Sequence, residues 1–268
     1  MRRPRARRVP AGLPLRAVAP NAVTALALSS GLTGIRFAIA GDWQLAVVMV
    51  MVAGVLDGVD GQLARLLRGT SRFGAELDSL SDAIAFGVSP ALILYLWSLT
   101  DSPRFGWICA LVFAVFCALR LARFNAMIDT GAQPRKMAGY LTGVPAPAGA
   151  ALAMLPIYLW FITEEPWLRS PWLVAPWLAV VALLMVSSLA TYSWASLRLR
   201  RHVRFEALTL IVAIGAALVS VPWHTLAALC IAYLVTLPFS AMGYIRIKRP
   251  RAILPSGPSP NQRSPDER

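Results

Sequence analysis

Long apolar runs broken by short polar or basic segments recur along the whole chain. The pattern predicts eight membrane-crossing helices, at roughly 19–40, 43–64, 75–99, 105–126, 144–163, 172–193, 205–221 and 223–245. Each run comes near the roughly 20 apolar residues that a helix needs to cross a bilayer. The expected fold is therefore an all-α integral membrane protein with little chain left for a soluble domain. Residues 1–16 are basic and contain proline, and 252–268 are rich in Pro and Ser. Both read as tails, the first cytoplasmic and the second disordered, around one transmembrane domain at 17–251. No internal repeat of the kind that builds many transporters is evident.

Composition agrees with the pattern: 57% of residues are hydrophobic and 15% charged, with a mean hydropathy of +0.60. A net charge of +13 raises the possibility of nucleic-acid binding, but the positions of the charges exclude it. With the N-terminus inside, all but Arg36, Arg104 and Arg169 of the 26 basic residues fall on the inner side. This is the positive-inside asymmetry, and it places both termini in the cytoplasm. Trp43, Trp97, Trp107, Trp160, Trp167, Trp172 and Trp223 lie at the predicted outer boundaries, where indoles favour the headgroup layer. Cys109, Cys117 and Cys230 sit inside apolar spans without metal-ligand spacing and read as packing residues. The Arg-rich start precedes a run long enough to span, so it reads as a retained anchor rather than a cleaved signal.

Against this apolar background, residues 54–87 carry four aspartates. Asp57 and Asp60 are three apart near the inner end of the second span, and Asp78 and Asp82 four apart just inside the third. Each spacing puts its pair on one helix face. Asp60 and Asp57 lie about 8 and 12 Å before Arg65, and Asp78 and Asp82 about 9 and 15 Å beyond Arg72, at 1.5 Å per residue. An antiparallel pair of helices thus brings the two carboxylate pairs to matching depth. Ionisable residues there are costly unless compensated, and four carboxylates together repel one another. Carboxylate oxygens with no His or Cys nearby suit Mg²⁺ or Mn²⁺, and four such groups can hold two ions, the arrangement of phosphoryl-transfer sites. Gly58, Gly61, Ala64 and Gly74 keep the region open for a nucleotide, and Arg65 offers its phosphates a fixed positive charge. Helix packing is the alternative reason for such small residues.

The ordered set Asp57, Asp60, Gly61, Ala64, Arg65, Gly74, Asp78 and Asp82 resembles, at every fixed position, the signature of the CDP-alcohol phosphatidyltransferase family. The resemblance implies a six-helix catalytic core, usually dimeric, followed here by two further helices without an assigned role. It implies metal binding by Asp57, Asp60 and Asp78, with Asp82 both touching metal and acting as general base. It also implies that the CDP-lipid is held by Asn21 and Thr24 of a Pro-Asn-x-x-Thr start, and by Gly61, Ala64, Arg65, Ser71 and Gly74. For Asn21 and Thr24 the alternative is a helix N-cap. The stretches SRFGAELDSLSDAIAFGVSPAL, ALRLARFN and GVPAPAGA are similar to the phosphatidylserine synthase branch. The substrates then implied are CDP-diacylglycerol and L-serine, and the compact, tail-poor architecture fits a bacterial inner membrane. Arg120 and Arg123 share a helix face and are candidates to hold the acceptor's carboxylate or a phosphate. They equally satisfy the positive-inside rule. Asn125 is a further acceptor candidate.

Other acceptors, namely glycerol 3-phosphate, inositol phosphate and choline, use the same chemistry. A phospholipase D-like route needs an H-x-K-x4-D arrangement that neither His202 nor His224 enters. A divalent-cation transporter accounts for the aspartates but leaves the glycines and Arg65 unexplained, and a catalytically dead adaptor retaining the fold is the remaining alternative.

Overall fold

A computed structural model describes residues 15–67, 71–129, 140–187, 190–192 and 204–251. The tails expected at 1–16 and 252–268 lie almost wholly outside the described residues, as do Arg68, Arg135 and Lys136. Among the described residues the chain folds as an all-α integral membrane protein of eight helices. These are α1 (Leu15–Ile39), α2 (Trp43–Leu66), α3 (Arg72–Leu99), α4 (Pro103–Asp129), α5 (Ala146–Thr163), α6 (Pro171–Val186), α7 (Arg204–Ser220) and α8 (Pro222–Arg251). From Val18 to Thr163, α1 to α5 are long and apolar enough to cross a bilayer, whereas Pro171–Val186, Leu208–Ser220 and Pro222–Pro238 are shorter apolar stretches.

The sequence pattern located these eight helices, but two features differ from expectation. The sixth apolar helix ends at Val186 rather than near residue 193, and Ser187 takes an extended conformation. Its following residues Ala190–Tyr192 (β2) pair antiparallel with Tyr140–Thr142 (β1), so that Tyr140 faces Tyr192 across the register. Gly143, at φ +73, lies so close to the carbonyls of Met185 and Ser187 that a Cβ would come within 2.9 Å of both. This pairing joins two segments about fifty residues apart, and hydropathy carries no signal for it.

α1 and α2 form a hairpin whose tight turn passes through Gly41 at φ +82. Along α1 the small residues permit close approach. A Cβ at Gly34 would stand 3.0 Å from the Ala46 carbonyl on α2, and one at Gly31 would stand 2.9 Å from the Ala85 Cα on α3. Ser89 also donates to the Gly31 carbonyl. α1 thereby contacts both helices that carry the aspartates.

α3 is regular from Arg72 to Asp82 and then widens over Ala83–Val88, where the Ser89 N–H reaches back five residues to Ile84. Pro90 follows at once and supplies no N–H, so a wide turn is the local way to carry the helix past it. α5 is interrupted at Met154 (φ −82, ψ 2), just ahead of Pro156, for the same reason. The core lies where α3, α4, α5 and α6 meet, with Ile93, Leu94, Phe113, Leu152, Ile157 and Leu178 fully buried. α7 lies against α8, and α8 packs on α5.

Trp97 is a correction to the interfacial belt. It is 1% exposed and meets Trp160 edge-on at 5.8 Å, whereas Trp107, Trp167 and Trp172 are exposed as expected. Cys109, Cys117 and Cys230 are free and buried, as packing residues should be.

Candidate metal and nucleotide site

The four aspartates do converge. Asp57 and Asp60 on α2 and Asp78 on α3 each offer a carboxylate oxygen, and these atoms lie within 4.8 Å of one another. Asp82, one turn further along α3, stands with its carboxyl against that of Asp57. Its Oδ1 is buried without a hydrogen-bond partner among the described residues. Two helices thus press acidic oxygens together, with one oxygen left unsatisfied where water is excluded. The donor set, all carboxylate oxygen, fits a hard divalent cation, which would remove the mutual repulsion and occupy the orphaned oxygen.

Asp60 is the most buried of the four, at 3% exposure. The Thr24 hydroxyl of α1 stands 2.6 Å from Asp60 Oδ2 and 3.1 Å from the Pro20 carbonyl. Ser81 of α3 in turn donates to the Thr24 carbonyl at 3.2 Å. One residue of α1 therefore ties α2 to α3 at the level of the carboxylates. Helix α1 begins at Leu15, so Asn21 and Thr24 are interior residues and the N-cap alternative is overturned for both. The cap in this region is Ser71, whose Oγ accepts from the Gly74 N–H at 3.0 Å at the start of α3.

Beside the carboxylates opens a cavity of about 230 Å³. Asp60 and Asp78 form one wall. Asn21, Thr24, Gly61, Ala64, Arg65, Ser71 and Gly74 all line it, so the structure brings together every residue expected at the nucleotide. The glycines divide by role. At Gly58 and Gly61 a Cβ would meet nothing within 4 Å, whereas at Gly74 it would fall 2.7 Å from Asn21 Oδ1. Gly61 therefore leaves room for a ligand, and Gly74 allows α3 to approach α1.

The two arginines expected at the acceptor separate. Arg120 of α4 is partly buried and acts electrostatically on Asp82, and its Nε is buried with no hydrogen-bond partner among the described residues. Arg123 is exposed and donates to the Val186 carbonyl at the end of α6, at 3.5 Å. Asn125 donates to Ser79 Oγ at 2.8 Å, a tie from α4 to α3 next to Asp78. Sequence reasoning missed Ser79 and Ser81. Their only signal is that they are polar residues flanking the aspartates on an apolar span.

Residues 17–187 match the family described as CDP-alcohol phosphatidyltransferase, and residues 203–238 match a second description, CDP-alcohol phosphatidyltransferase 2. The chain belongs to the CDP-alcohol phosphatidyltransferase family. Among its relatives is the CDP-diacylglycerol–serine O-phosphatidyltransferase of Mycobacterium tuberculosis (strain H37Rv), 37% identical over 225 residues, which are 83% of this chain and 78% of that one. The protein of the same name from Mycobacterium leprae is 35% identical over 83% of this chain and 74% of its own. That of Helicobacter pylori (strain 26695) is 40% identical over 140 residues, 52% of this chain and 57% of its own.

Proposed function

We propose that this protein transfers the phosphatidyl group of CDP-diacylglycerol to L-serine, giving phosphatidylserine and CMP. The observation that carries the reading is the meeting of three aspartates with a cavity lined by Asn21, Arg65 and Gly61. The name shared by its relatives selects serine. Arg65 and the open backbone at Gly61 receive the cytidine diphosphate, with Asp57, Asp60 and Asp78 as ligands for Mg²⁺ or Mn²⁺, two ions per site when Asp82 contributes. Bound divalent cations supply charge neutralisation for the diphosphate and for the departing phosphate.

Asp82 accepts the proton of the serine hydroxyl. The serine oxygen forms a bond to the phosphorus that bears diacylglycerol, and the bond from that phosphorus to the CMP oxygen breaks. Electrons of the broken bond leave with CMP, and the proton held by Asp82 passes to solvent. Arg120, facing Asp82, holds the serine carboxylate, while Arg123 serves headgroups at the membrane surface. The protein is multi-pass. Its setting is the bacterial inner membrane, with both termini and the site on the cytoplasmic side, residues 1–16 and 252–268 as tails of the 17–251 catalytic domain, and a homodimer as the assembly.

CMP release by purified protein from CDP-diacylglycerol with Mn²⁺ tests this, with serine, glycerol 3-phosphate, inositol phosphate and choline offered separately. Serine-dependent CMP is expected. Release with a different acceptor alone would retain the chemistry and remove serine, and release with none would remove the reaction.

A further inference from the structure

α3 meets α1 along a line of small residues whose contacts ascend together on the two helices. A Cβ at Gly74 would fall 2.7 Å from Asn21 Oδ1, Ser81 donates to the Thr24 carbonyl at 3.2 Å, and Ser89 donates to the Gly31 carbonyl. Ser81 and Ser89 are buried, at 3% and 0% exposure. A serine or threonine in an apolar helix can bond back to its own helix four residues earlier, and Ser29, Thr33 and Ser79 do so, to the carbonyls of Ala25, Ser29 and Ala75. Ser81 and Ser89 instead reach across to a neighbouring backbone, so their bonds fix where α3 stands on α1.

Spacing shows what this pair demands of α3. The two carbonyls are seven residues apart on α1, about two turns, but the two serines are eight apart on α3. A regular α-helix would turn the second serine off the shared face by about 80°. The wide turn at Ala83–Val88 lies between them and takes in one residue more than an α-turn, which restores the match. Ser81 lies beside Asp82 and three residues from Asp78, and the carbonyl it holds belongs to Thr24, whose hydroxyl is on Asp60. The relative placing of the α2 and α3 carboxylates therefore runs through this contact.

We propose that Ser81 and Ser89 are positioning residues for the metal ligands: they pin α3 to α1 on either side of the wide turn, and so set the depth and rotation at which Asp78 and Asp82 face Asp57 and Asp60. The proposal rests on the metal reading given above. Neither serine touches the ion or the substrates; each acts through the backbone of α1.

The test is Mn²⁺ binding to the full-length protein in detergent, followed by loss of the free-ion electron paramagnetic resonance signal, for wild type, Ser81→Ala, Ser89→Ala and Ser98→Ala. Ser98 is the control: a buried serine of the same helix, sixteen residues beyond Asp82, that donates to the Arg169 carbonyl at 2.7 Å. Each variant loses one buried hydrogen bond, so their melting temperatures should fall by similar amounts. Ser81→Ala should weaken Mn²⁺ about tenfold, as loss of a group behind a metal ligand does, and Ser89→Ala about threefold, while Ser98→Ala stays within about twofold of wild type. Wild-type affinity in Ser81→Ala or Ser89→Ala, or an equal weakening in Ser98→Ala, would overturn the proposal. Should Ser81→Ala not fold, Ser89→Ala against Ser98→Ala decides it by the same measure. A wild type that binds no Mn²⁺ overturns the metal reading and this proposal together, whereas turnover with an acceptor other than serine removes serine alone and leaves the binding result standing.

Discussion

The two ends of the helical bundle both gather polar side chains, but they treat them in opposite ways. At the end away from the aspartates Arg169 has partners in place: its Nε donates to the Trp97 carbonyl at 2.6 Å, and its guanidinium lies 5.8 and 6.0 Å from the ring centres of Trp43 and Trp160. Its own carbonyl accepts from Ser98 at 2.7 Å. Phe161 and Trp223 continue the aromatic layer at 4.6 Å and bring α8 into it. At the aspartate end, Asp82 Oδ1 and Arg120 Nε are buried with no hydrogen-bond partner among the described residues. A charge with its partners in place is a brace, whereas opposite charges kept near each other with unmet bonding capacity are a binding site. The Arg169 end has an orphan of its own among the described residues, the Trp97 indole N–H. It is neutral, and leaving it unmade costs only about 1–3 kcal/mol.

A cavity at the Arg169 end sharpens the contrast. About 550 Å³ in volume, it is larger than the one beside the aspartates and is lined by Asp42, Trp43, Trp160, Phe161 and Glu164. Two carboxylates and three aromatic rings look like a site by composition. Asp42 and Glu164 are exposed to solvent, however, and Arg169 already lies over two of the rings. Volume and residue type do not identify a site here; convergence of buried, unsatisfied groups does.

Substitutions at the two ends should therefore have different consequences. The largest effect is expected at Asp82: Asp82→Asn should lower kcat by about 10²–10⁴-fold, the range for loss of a general base, while CDP-diacylglycerol still binds. CMP release and a nucleotide-binding titration on the same preparation check both parts, and turnover near wild type would remove Asp82 from the role of base. Chelation by EDTA should abolish activity and Mn²⁺ restore it, because Asp57, Asp60 and Asp78 bring carboxylate oxygens within 4.8 Å of one another, an arrangement suited to a hard divalent cation; activity that survives exhaustive chelation would contradict the metal reading.

Thr24→Val should follow, raising the Mn²⁺ concentration for half-maximal activity by about 10- to 100-fold, as loss of a group that orients a metal ligand does. Thr24→Ser keeps the hydroxyl on Asp60 and should stay near wild type, so a direct Mn²⁺-binding measurement on both variants separates orientation of the ligand from loss of packing. The smallest functional effect is expected at the Arg169 end. Arg169→Ala should cost about 1–3 kcal/mol of stability through the lost charged hydrogen bond and ring contacts, read as a lower melting temperature in detergent. Its KM values should not move, and a change in serine KM would join the two ends into one functional unit.

Much of the candidate site was legible because charge at membrane depth is conspicuous. Four aspartates at helical spacings on adjacent spans admit one way of meeting, and the depths counted from Arg65 and Arg72 placed them together. The nucleotide-side residues were legible for a different reason: the resemblance supplied them, and the cavity gathers them. Less legible was the division of labour inside each group. Arg120 and Arg123 look equivalent along a helix, but only the former turns toward Asp82. Ser71 and Thr24 are both hydroxyl residues that the sequence allows as helix caps, and only the former is one.

The helices, their apolar character and the carboxylates that must share a site were all written in the amino-acid order. They depend on local periodicity and on the cost of placing charge in a bilayer, both of which can be read residue by residue. Packing in three dimensions was needed to make Trp97 core, to bring Thr24 to Asp60, and to stop α6 at Val186 so that β2 pairs with β1. Each of those outcomes is a contact between segments far apart in the chain. Such contacts depend on where small residues such as Gly31 and Gly34 let backbones approach, a matter of packing geometry that hydropathy does not encode.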